Sequence, residues 1–326
     1  MGHEVGRRLF LAGAASVVAA PLIAACARSV PWADASGRLR IATGNPGAVF
    51  DRYGAALARE VGVVMPEVSS SVVISGGSVG NVEHLLAGTA DVGFCLGDAA
   101  RLAHDGAPPF TAPTGVVAIA RLYDSFLQVV VPRDSPIVAV RDLAGRRLAS
   151  GQVGSGTKLV VERCLRAAGL TDGDTEQLGL SLEDSTAALE RGEVDALAFV
   201  SGFPVAALVD LGRRMPLRAI DLGDLVASLA SDFAGQYVAG PFPAGPYGLP
   251  EAVETVSITT YMLATPQLAD DVAHGFASVI FDRQDVLSRT VPDIRQPTAA
   301  AGIFTQPIPL HPGALRYFQE RDERAE

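Results

Sequence analysis

A glycine-rich segment with hydroxyl side chains lies near the middle of the chain and reads 151-GQVGSGTK-158. A phosphate-binding P-loop has a second glycine followed directly by lysine and then by serine or threonine. Here Gly151 and Gly156 have the P-loop spacing, but Thr157 and Lys158 stand in the reverse order. One position rotates a side chain by about 100° on a helix of ~3.6 residues per turn. Lys158 would therefore point away from a phosphate, which argues against nucleotide binding.

A second glycine-rich segment, 76-GGSVG-80, has the G-x-S-x-G spacing of a hydrolase nucleophile, with Ser78 as the serine. A serine hydrolase also needs a histidine and an acid later in the chain. The later histidines follow the serine too closely, lie within a predicted helix or precede a proline near the C-terminus: His84, His104, His274 and His311. Hydrolysis by Ser78 is kept as an alternative, and we expect the protein not to be an enzyme.

Both segments could bind an anion through their main chain. A glycine-rich turn that leads into a helix exposes backbone N–H groups, and the helix start carries about half a positive charge. Ser155 and Thr157 add hydroxyl donors to the second turn. Because no basic side chain is directed at this turn, a small carboxylate fits it better than a polyphosphate. The alternative, that Gly151, Gly154 and Gly156 only permit a tight turn, remains open.

The elements that position these turns follow a repeated order. The first unit predicts strands at residues 38–43, 69–75 and 91–96 and helices at 48–65 and 81–88. The second unit predicts strands at 146–150, 176–181 and 194–200 and helices at 158–169 and 182–192. In both units a glycine ends a helix and an aspartate three residues later opens the last strand, as in Gly88 with Asp91 and Gly192 with Asp195. The repeat predicts an α/β fold with two βαβαβ lobes.

Ligands of such folds bind at the carboxyl edge of the strands, where the turns lie. If the two lobes face one another, 44-GNPG and 76-GGSVG lie across a cleft from 151-GQVGSGT. The sequence therefore predicts that the glycine-rich turns form one ligand site between the lobes.

The C-terminal part predicts a return to the first lobe. A Pro/Gly-rich connection at 239–251 precedes a predicted strand at 253–265, and predicted helices begin at Pro266 and within 307–323. Two strands would then cross between the lobes as a hinge. The predicted boundaries are 1–26 for a signal peptide, 27–37 for a tether, 38–125 for lobe I, 126–255 for lobe II and 256–326 for the return to lobe I.

The N-terminus has the features of a bacterial export signal. Arg7 and Arg8 precede an apolar stretch that ends in small residues and Cys26. The arginine pair is similar to a twin-arginine signal, and the segment before Cys26 is similar to a lipobox, in which the cysteine is acylated. We therefore expect an extracytoplasmic protein anchored to the outer face of the cell membrane by lipid on Cys26.

Composition limits the remaining function classes. The 326 residues exceed the ~250–300 residues that one hydrophobic core organises, in agreement with two lobes. The net charge is −10 and the mature part has no basic run, which argues against a nucleic-acid partner. Cys95 and Cys164 lie in separate apolar segments with no Cys/His cluster nearby, so we expect no metal and no cofactor.

Five segments together resemble the TAXI group (TRAP-associated extracytoplasmic immunogenic) of solute receptors, which serve tripartite ATP-independent transporters. The resemblance extends from about Arg38 to Phe318 and rests on these segments: 43-TGNPGAVFDRYGAALA, 75-SGGSVGNVEHLLAGTADVGF, 154-GSGT, 189-LERGEVDALAFVSGFP and 308-IPLHPGALRYF. It implies a type II periplasmic-binding-protein fold without catalysis or cofactor. It also implies that the lobes close over a small carboxylate-bearing solute, an organic acid or an amino acid, and deliver it to a TRAP-type membrane permease. We expect the receptor to be a monomer.

The resemblance also implies which residues face the ligand: Gly44, Gly47, Phe50, Ser78, Asn81, Gly154, Ser155, Gly156, Thr157, Ser201, Gly202 and Phe203. The chain departs from the family pattern at Leu96 and Gly97, where many relatives have a polar pair, and at Asp51, where they have a second aromatic residue. The alternative partners are a sensor kinase or an ATP-driven importer.

Overall fold

The computed structural model describes residues 32–171, 173–233, 235–292 and 294–323. Their strands are β1 (Gly37–Ala42), β2 (Val68–Val73), β3 (Val92–Leu96), β4 (Val117–Pro132), β5 (Arg147–Ala149), β6 (Glu176–Leu178), β7 (Ala196–Ser201), β8 (Leu217–Ala219), β9 (Tyr237–Phe242) and β10 (Val253–Ala264). Their α-helices are α1 (Val49–Val64), α2 (Ser78–Leu86), α3 (Gly97–Asp105), α4 (Gly156–Ala167), α5 (Leu182–Glu190), α6 (Ala206–Arg214), α7 (Gly223–Asp232), α8 (Asp270–Asp282), α9 (Gln284–Thr290), α10 (Ala299–Gly302) and α11 (Pro312–Glu323).

The predicted signal peptide, including Arg7, Arg8 and Cys26, lies outside the described residues, as do residues 27–31 of the predicted tether. Among the helices of the described residues, none combines the length and the apolar character needed to cross a membrane.

The described strands form one mixed sheet in the order β2-β1-β3-β10-β4-β7-β5-β6, to which β8 is added beside β4 and β9 beside β10. β1 pairs in parallel with β2 and β3, and β5 pairs in parallel with β6 and β7. The two parallel groups are joined through the long antiparallel pair β4 and β10. The register of this pair shifts between Thr259 and Tyr261, a bulge of the kind that bends a strand.

The hydrophobic core has two parts, which correspond to the two groups of parallel strands in the sheet. One pair of core clusters combines residues of β1, β3 and α1 with the C-terminal helices α8 and α11, and we call this part lobe I. Another pair of clusters combines residues of β5, β7 and α4 with β9, and we call this part lobe II. The two middle strands contribute to both parts, because β4 and β10 run from one lobe into the other. This is the two-strand hinge that the sequence predicts.

One predicted connection is wrong in part. Residues 239–242 of the predicted connection 239–251 belong to strand β9, which pairs antiparallel with β10 in the register Pro241 to Glu254. Proline has no N–H to donate and is tolerated at the edge of a sheet. The proline and glycine residues of this segment are typical of a linker, which is why the sequence predicted one. The segment can still form a strand because its backbone pairs along one side only.

The glycine-aspartate repeat has the same structural role in both lobes. Asp91 accepts hydrogen bonds from the backbone N–H, Nε and Nη2 of Arg40 on the neighbouring strand, at 2.7–3.0 Å. Asp195 accepts the same three bonds from Arg147, at 2.7–3.1 Å. Each aspartate thus joins the amino ends of two parallel strands, far from the turns at their carboxyl ends. The repeat stabilises the sheet and is not part of a ligand site.

This bond predicts a dependence of stability on pH. The hydrogen bonds from Arg147 lower the pKa of the Asp195 carboxyl below its ordinary value. The ionised form therefore stabilises the fold above the ordinary pKa of about 4, and the contribution is lost as the pH falls through the lowered pKa. We expect Asp195→Asn to lower the free energy of unfolding in urea at neutral pH, with a difference from wild type that shrinks as the pH falls below the ordinary pKa of the carboxyl.

The matched control is Asp210→Asn, which removes the carboxylate of an exposed pair with Arg213. Its effect on stability should be smaller at neutral pH, because an exposed pair contributes little. An Asp195→Asn variant as stable as wild type at neutral pH would contradict the proposed role of this bond.

Candidate functional site

The carboxyl ends of the parallel strands meet at one cavity between the lobes. Lobe I contributes the turn after β1, the turn after β2 and the end of β3, and lobe II contributes the turn after β5 and the end of β7. This is the position at which open α/β sheets bind ligands. The central cavity has a volume of about 30 Å³, enough for only about two water molecules. In this closed arrangement the space between the glycine-rich turns is too small for an organic acid.

The structure brings together seven of the predicted site residues around the central cavity: Gly44, Phe50, Ser78, Ser155, Gly156, Thr157 and Ser201. Among these, Phe50 is half-buried and stacks on the Phe94 ring, with 4.9 Å between ring centroids. Gly202 and Phe203 instead line a separate chamber, described below, and Gly154 lines an outer groove.

Two predicted residues have structural roles instead. Asn81 donates from Nδ2 to the carbonyl oxygens of Thr43 and Phe94, at 2.6 and 2.7 Å, and so ties the ends of β1 and β3 to α2. Gly47 donates its N–H to the Asp51 carboxylate at 2.9 Å. Neither residue is among those that line the cavity, and their role as ligand contacts remains a prediction.

The prediction missed eight residues that line the central cavity: Asn45, Ala48, Val49, Gly76, Gly77, Leu96, Phe199 and Val200. Most of them lie in the glycine-rich turns or directly at their ends, so the position of the turns could have identified them. The apolar residues at the end of β7 gave no such signal, because they continue a strand whose residues are all buried.

Main-chain hydrogen bonds cross the cleft and hold the two lobes together. The N–H groups of Val79 and Gly80, at the start of α2 in lobe I, both donate to the carbonyl oxygen of Gly154 in lobe II, at 3.0 Å each. On the other side of the cavity, Leu182 N–H donates to Asn45 Oδ1 at 3.2 Å. The N–H groups of Val79 and Gly80 are therefore satisfied by the protein itself, and the structure is that of a closed cleft.

The hydroxyl groups predicted to bind the ligand accept hydrogen bonds from the backbone. Ser155 Oγ accepts from Lys158 N–H at 3.1 Å and caps α4. Thr157 Oγ1 accepts from Val200 N–H at 3.1 Å, and Ser78 Oγ accepts from Leu96 N–H at 3.0 Å. Each hydroxyl keeps a proton that it could donate to a ligand. Removing one of them would also remove a buried backbone partner, so its loss affects folding as well as binding.

The cleft has two larger spaces beside the central cavity. The first, which we call the hinge chamber, has a volume of about 380 Å³ and lies between hinge strand β4, the loop after β7 and residues 294–301. The second, the outer groove, has a volume of about 970 Å³ and lies between α2 and α4. The contact between residues 76–77 and 153–155 separates the outer groove from the central cavity.

The geometry also bears on the alternative chemistries. Lys158 lines the outer groove and forms an ion pair with Glu162 at 3.1 Å, so it does not reach the turn as a P-loop lysine would. Ser78 is buried, and the hydrogen bonds described for its side chain include none to a histidine. Within the described part of the chain, the Ser78 hydroxyl therefore has no hydrogen-bonded base that could activate it.

Comparisons with known proteins agree with this architecture. Residues 41–321, more than half of the chain, match the model of the NMT1-like family. A putative aliphatic sulfonates-binding protein of Escherichia coli (strain K12) is 37% identical over 94 residues, which are 29% of this chain and 29% of that protein. The chain thus matches less than a third of that relative's length.

Two solved structures share the fold. One is a binding protein component of a phosphonate ABC transporter from Pseudomonas aeruginosa, with a TM-score of 0.55, 11% identity and 79% of each chain covered. The other is a Xanthomonas citri protein bound to ATP, with a TM-score of 0.52, 15% identity, and 87% of this chain and 95% of that chain covered. The predicted α/β fold of the periplasmic binding proteins is thereby confirmed.

Proposed function

The chain belongs to the NMT1-like family, and from this premise we propose that it is an extracytoplasmic receptor that captures a small organic anion between its lobes and delivers it to a membrane importer. The relatives and structural neighbours are binding proteins, which catalyse no reaction, and this chain is likewise not an enzyme. The observation that carries the proposal is the cleft on which the carboxyl ends of the parallel strands of both lobes converge.

The hinge supports a mechanism of opening and closing. Only β4 and β10 of the described strands pass between the lobes, and their pairing is irregular near Thr259. A few residues at such a crossing can absorb the rotation of one lobe against the other. A ligand that contacts both lobes binds the closed form more tightly, and this difference in affinity shifts the population toward closure. The importer would then distinguish the loaded receptor by its closed shape.

An anionic solute agrees with both lines of support. The sequence predicts a carboxylate, because the turns offer main-chain N–H groups at helix starts. The names of the relatives mention sulfonates and phosphonates, whose oxygen atoms also carry negative charge. We therefore propose a small organic acid, with a carboxylate as the first candidate.

For the importer, the sequence motifs and the relatives favour different partners. The motifs resemble the TAXI receptors, which favours a TRAP-type permease. The Pseudomonas aeruginosa structure is of a binding protein component of an ABC transporter, which favours an ATP-driven importer as the second candidate.

A binding experiment distinguishes the two importers. Purified receptor would be mixed with detergent-solubilised TRAP and ABC permeases from the same cell, and ligand-dependent binding to a TRAP permease is expected. Binding to an ABC permease alone would decide for the second candidate.

The remaining parts of the proposal rest on the sequence. We propose lipid anchoring at Cys26, export through the Arg7–Arg8 signal, and a monomeric receptor divided into residues 38–125, 126–255 and 256–326. Labelling of cells with a palmitate analogue is expected to modify the wild-type protein and not Cys26→Ala.

A thermal-shift screen of the purified protein tests the central proposal. The screen contains amino acids, mono- and dicarboxylates, alkanesulfonates and alkylphosphonates, each with an uncharged amide or alcohol for comparison. At ~100 times its Kd, a ligand stabilises the folded protein by about 2.7 kcal/mol, which raises the melting temperature measurably. We expect at least one acid to do so while its uncharged counterpart does not. No shift with any acid would contradict the proposal.

A further inference from the structure

Within the cleft, we propose that the solute's apolar body and its acid group bind in the hinge chamber, with Arg295 and Arg121 as the counter-charges. This inference rests on the proposed function, because it assumes that the cleft binds an organic acid. It places the ligand beside the glycine-rich turns rather than between them. The chamber's main lining side chains are Arg121, Tyr123, Phe126, Phe203, Arg295 and Thr298.

The first argument is volume. Small-molecule sites have volumes of roughly 300–1,000 Å³, and the hinge chamber has about 380 Å³. The central cavity has about 30 Å³ and is bounded by backbone atoms of both lobes that already contact one another. A ligand in the hinge chamber therefore fits the closed arrangement as it stands, whereas a ligand between the turns would have to break the bonds from Val79 and Gly80 to Gly154.

The second argument is charge. The charged side chains that line the chamber are two arginines, Arg121 and Arg295, and one aspartate, Asp124, which leaves one positive charge. Asp124 pairs with Arg121 at 3.0 Å, whereas the described part of the chain gives Arg295 no carboxylate partner. A positive chamber in a chain of net charge −10 favours an anion over a cation or a neutral sugar. The planar guanidinium can bind a carboxylate, sulfonate or phosphonate through two parallel hydrogen bonds.

The third argument is the apolar wall. Phe126 on β4 and Phe203 after β7 stack with their ring centroids 4.6 Å apart, and both are only partly buried. The Phe203 ring also stacks on the Phe242 ring and makes an edge contact with the Tyr247 ring. The two rings therefore give the chamber a rigid apolar surface. This surface fits the body of an aromatic or branched aliphatic acid better than the polar body of an amino acid or a sugar acid.

The chamber also responds to closure. Phe203 belongs to the core of lobe II, whereas Ile294, next to Arg295, belongs to the core of lobe I. A ligand that contacts Phe203 and Arg295 therefore touches both lobes, and it stabilises the closed form. The outer groove has the same balance of one positive charge, from Lys158, Arg163 and Arg166 against Glu83 and Glu162. It is a weaker candidate because Lys158 already pairs with Glu162 and Arg163 with Asp98.

The test is isothermal titration calorimetry with 3-phenylpropionate, 3-phenylpropanesulfonate, glutamate and succinate as probes, on wild type, Arg295→Gln and Arg289→Gln. Arg295 is exposed, so its replacement should leave the fold intact. Arg289 is an exposed arginine on the neighbouring helix α9, outside the chamber, and serves as the matched control. We expect an aryl acid to bind wild type more tightly than glutamate and succinate. Arg295→Gln should weaken this binding at least about tenfold, and Arg289→Gln should not.

The outcomes separate the two proposals. If glutamate or succinate binds best, or if Arg295→Gln binds the aryl acids as wild type does, the hinge-chamber inference is wrong and the receptor function stands. If none of the four probes, nor any acid of the thermal-shift screen, binds wild type, both proposals fail.

Discussion

Replacing Gly156 by alanine is expected to lower the affinity for the bound acid at least about tenfold, or about 1.4 kcal/mol. A Cβ atom on Gly156 would lie 2.6 Å from Ser78 Oγ and 2.7 Å from Leu96 Cδ1. Both of these side chains are almost fully buried and lie across the cleft from α4, so neither can move aside easily. The lobes must instead move apart, and the closed form that binds the ligand loses population.

Calorimetry with the best acid of the screen measures the affinity, and small-angle X-ray scattering measures whether the variant is more extended. The matched control is Gly62→Ala on α1, where an added Cβ meets no atom within 4 Å. This control should bind and scatter as wild type does. If Gly156→Ala binds with the affinity of wild type, the ligand-bound form is more open than the structure described above, and closure does not depend on this contact.

The contact at Gly156 shows why the sequence predicted the position of the site better than its shape. Glycines between a strand and a helix identify a turn at a sheet edge, and the repeat in both halves of the chain predicts that two such edges face one another. Whether the turns enclose a ligand or touch each other depends on the angle between the lobes. That angle is set by the whole hinge and interface, and the local sequence does not encode it.

The strands were predictable where burial is continuous. All five residues of β3 and all six of β7 are buried, and each strand is opened by an aspartate after a helix-ending glycine. Runs of this kind are typical of central parallel strands. The edge strand β9 was not predicted, because Gly240 and Pro241 are common in loops and only three of its six residues are buried.

The hinge chamber was the part of the site least accessible to sequence analysis. Of the predicted residues only Gly202 and Phe203 line it, while Arg121 and Arg295 come from segments without a recognisable motif. Arg121 is a single charged residue on the hinge strand β4, and Arg295 lies in the loop between α9 and α10, so neither gives a periodic signal. Their proximity follows from the return of the C-terminal part to lobe I, which places residues 294–301 against the hinge strand.

Replacing Asp98 by alanine is expected to destabilise the protein by about 3–5 kcal/mol, since it leaves a buried arginine without its counter-charge. Asp98 lies in the first turn of α3, and its Oδ1 accepts from Ala99 N–H at 2.7 Å. The structure adds that Oδ2 accepts from the Tyr237 hydroxyl at 2.6 Å and lies 3.5 Å from Arg163 Nη1. The Arg163 guanidinium also lies 4.0 Å from the centroid of the Phe233 ring.

Urea unfolding of Asp98→Ala measures this loss, with Asp105→Ala as the matched control. Asp105 lies on the same helix and pairs with Arg101 at the surface, where solvent screens the interaction. Its replacement should therefore cost much less than that of Asp98. Equal losses for the two variants would show that Asp98 acts only as a helix residue and not as the partner of Arg163.

Most of the stability lost on replacing Asp98 should come from leaving Arg163 and Tyr237 buried without their partner. A variant in which these partners are replaced as well separates this cost from the loss of the Asp98 interactions themselves. Burial raises the pKa of the Asp98 carboxyl above its ordinary value, while the Arg163 charge beside it acts in the opposite direction. The ionised carboxylate is thus expensive to bury, and the cluster is not strongly stabilising as a whole. We expect a triple variant, Asp98→Leu with Arg163→Met and Tyr237→Phe, to lose less stability than Asp98→Leu alone.

Because α3 belongs to lobe I whereas α4 and β9 belong to lobe II, the triple variant should also bind ligand more weakly by favouring the open form. If the triple variant were as unstable as the sum of its single replacements, the three side chains would act independently, and the cluster would not be the link between the lobes.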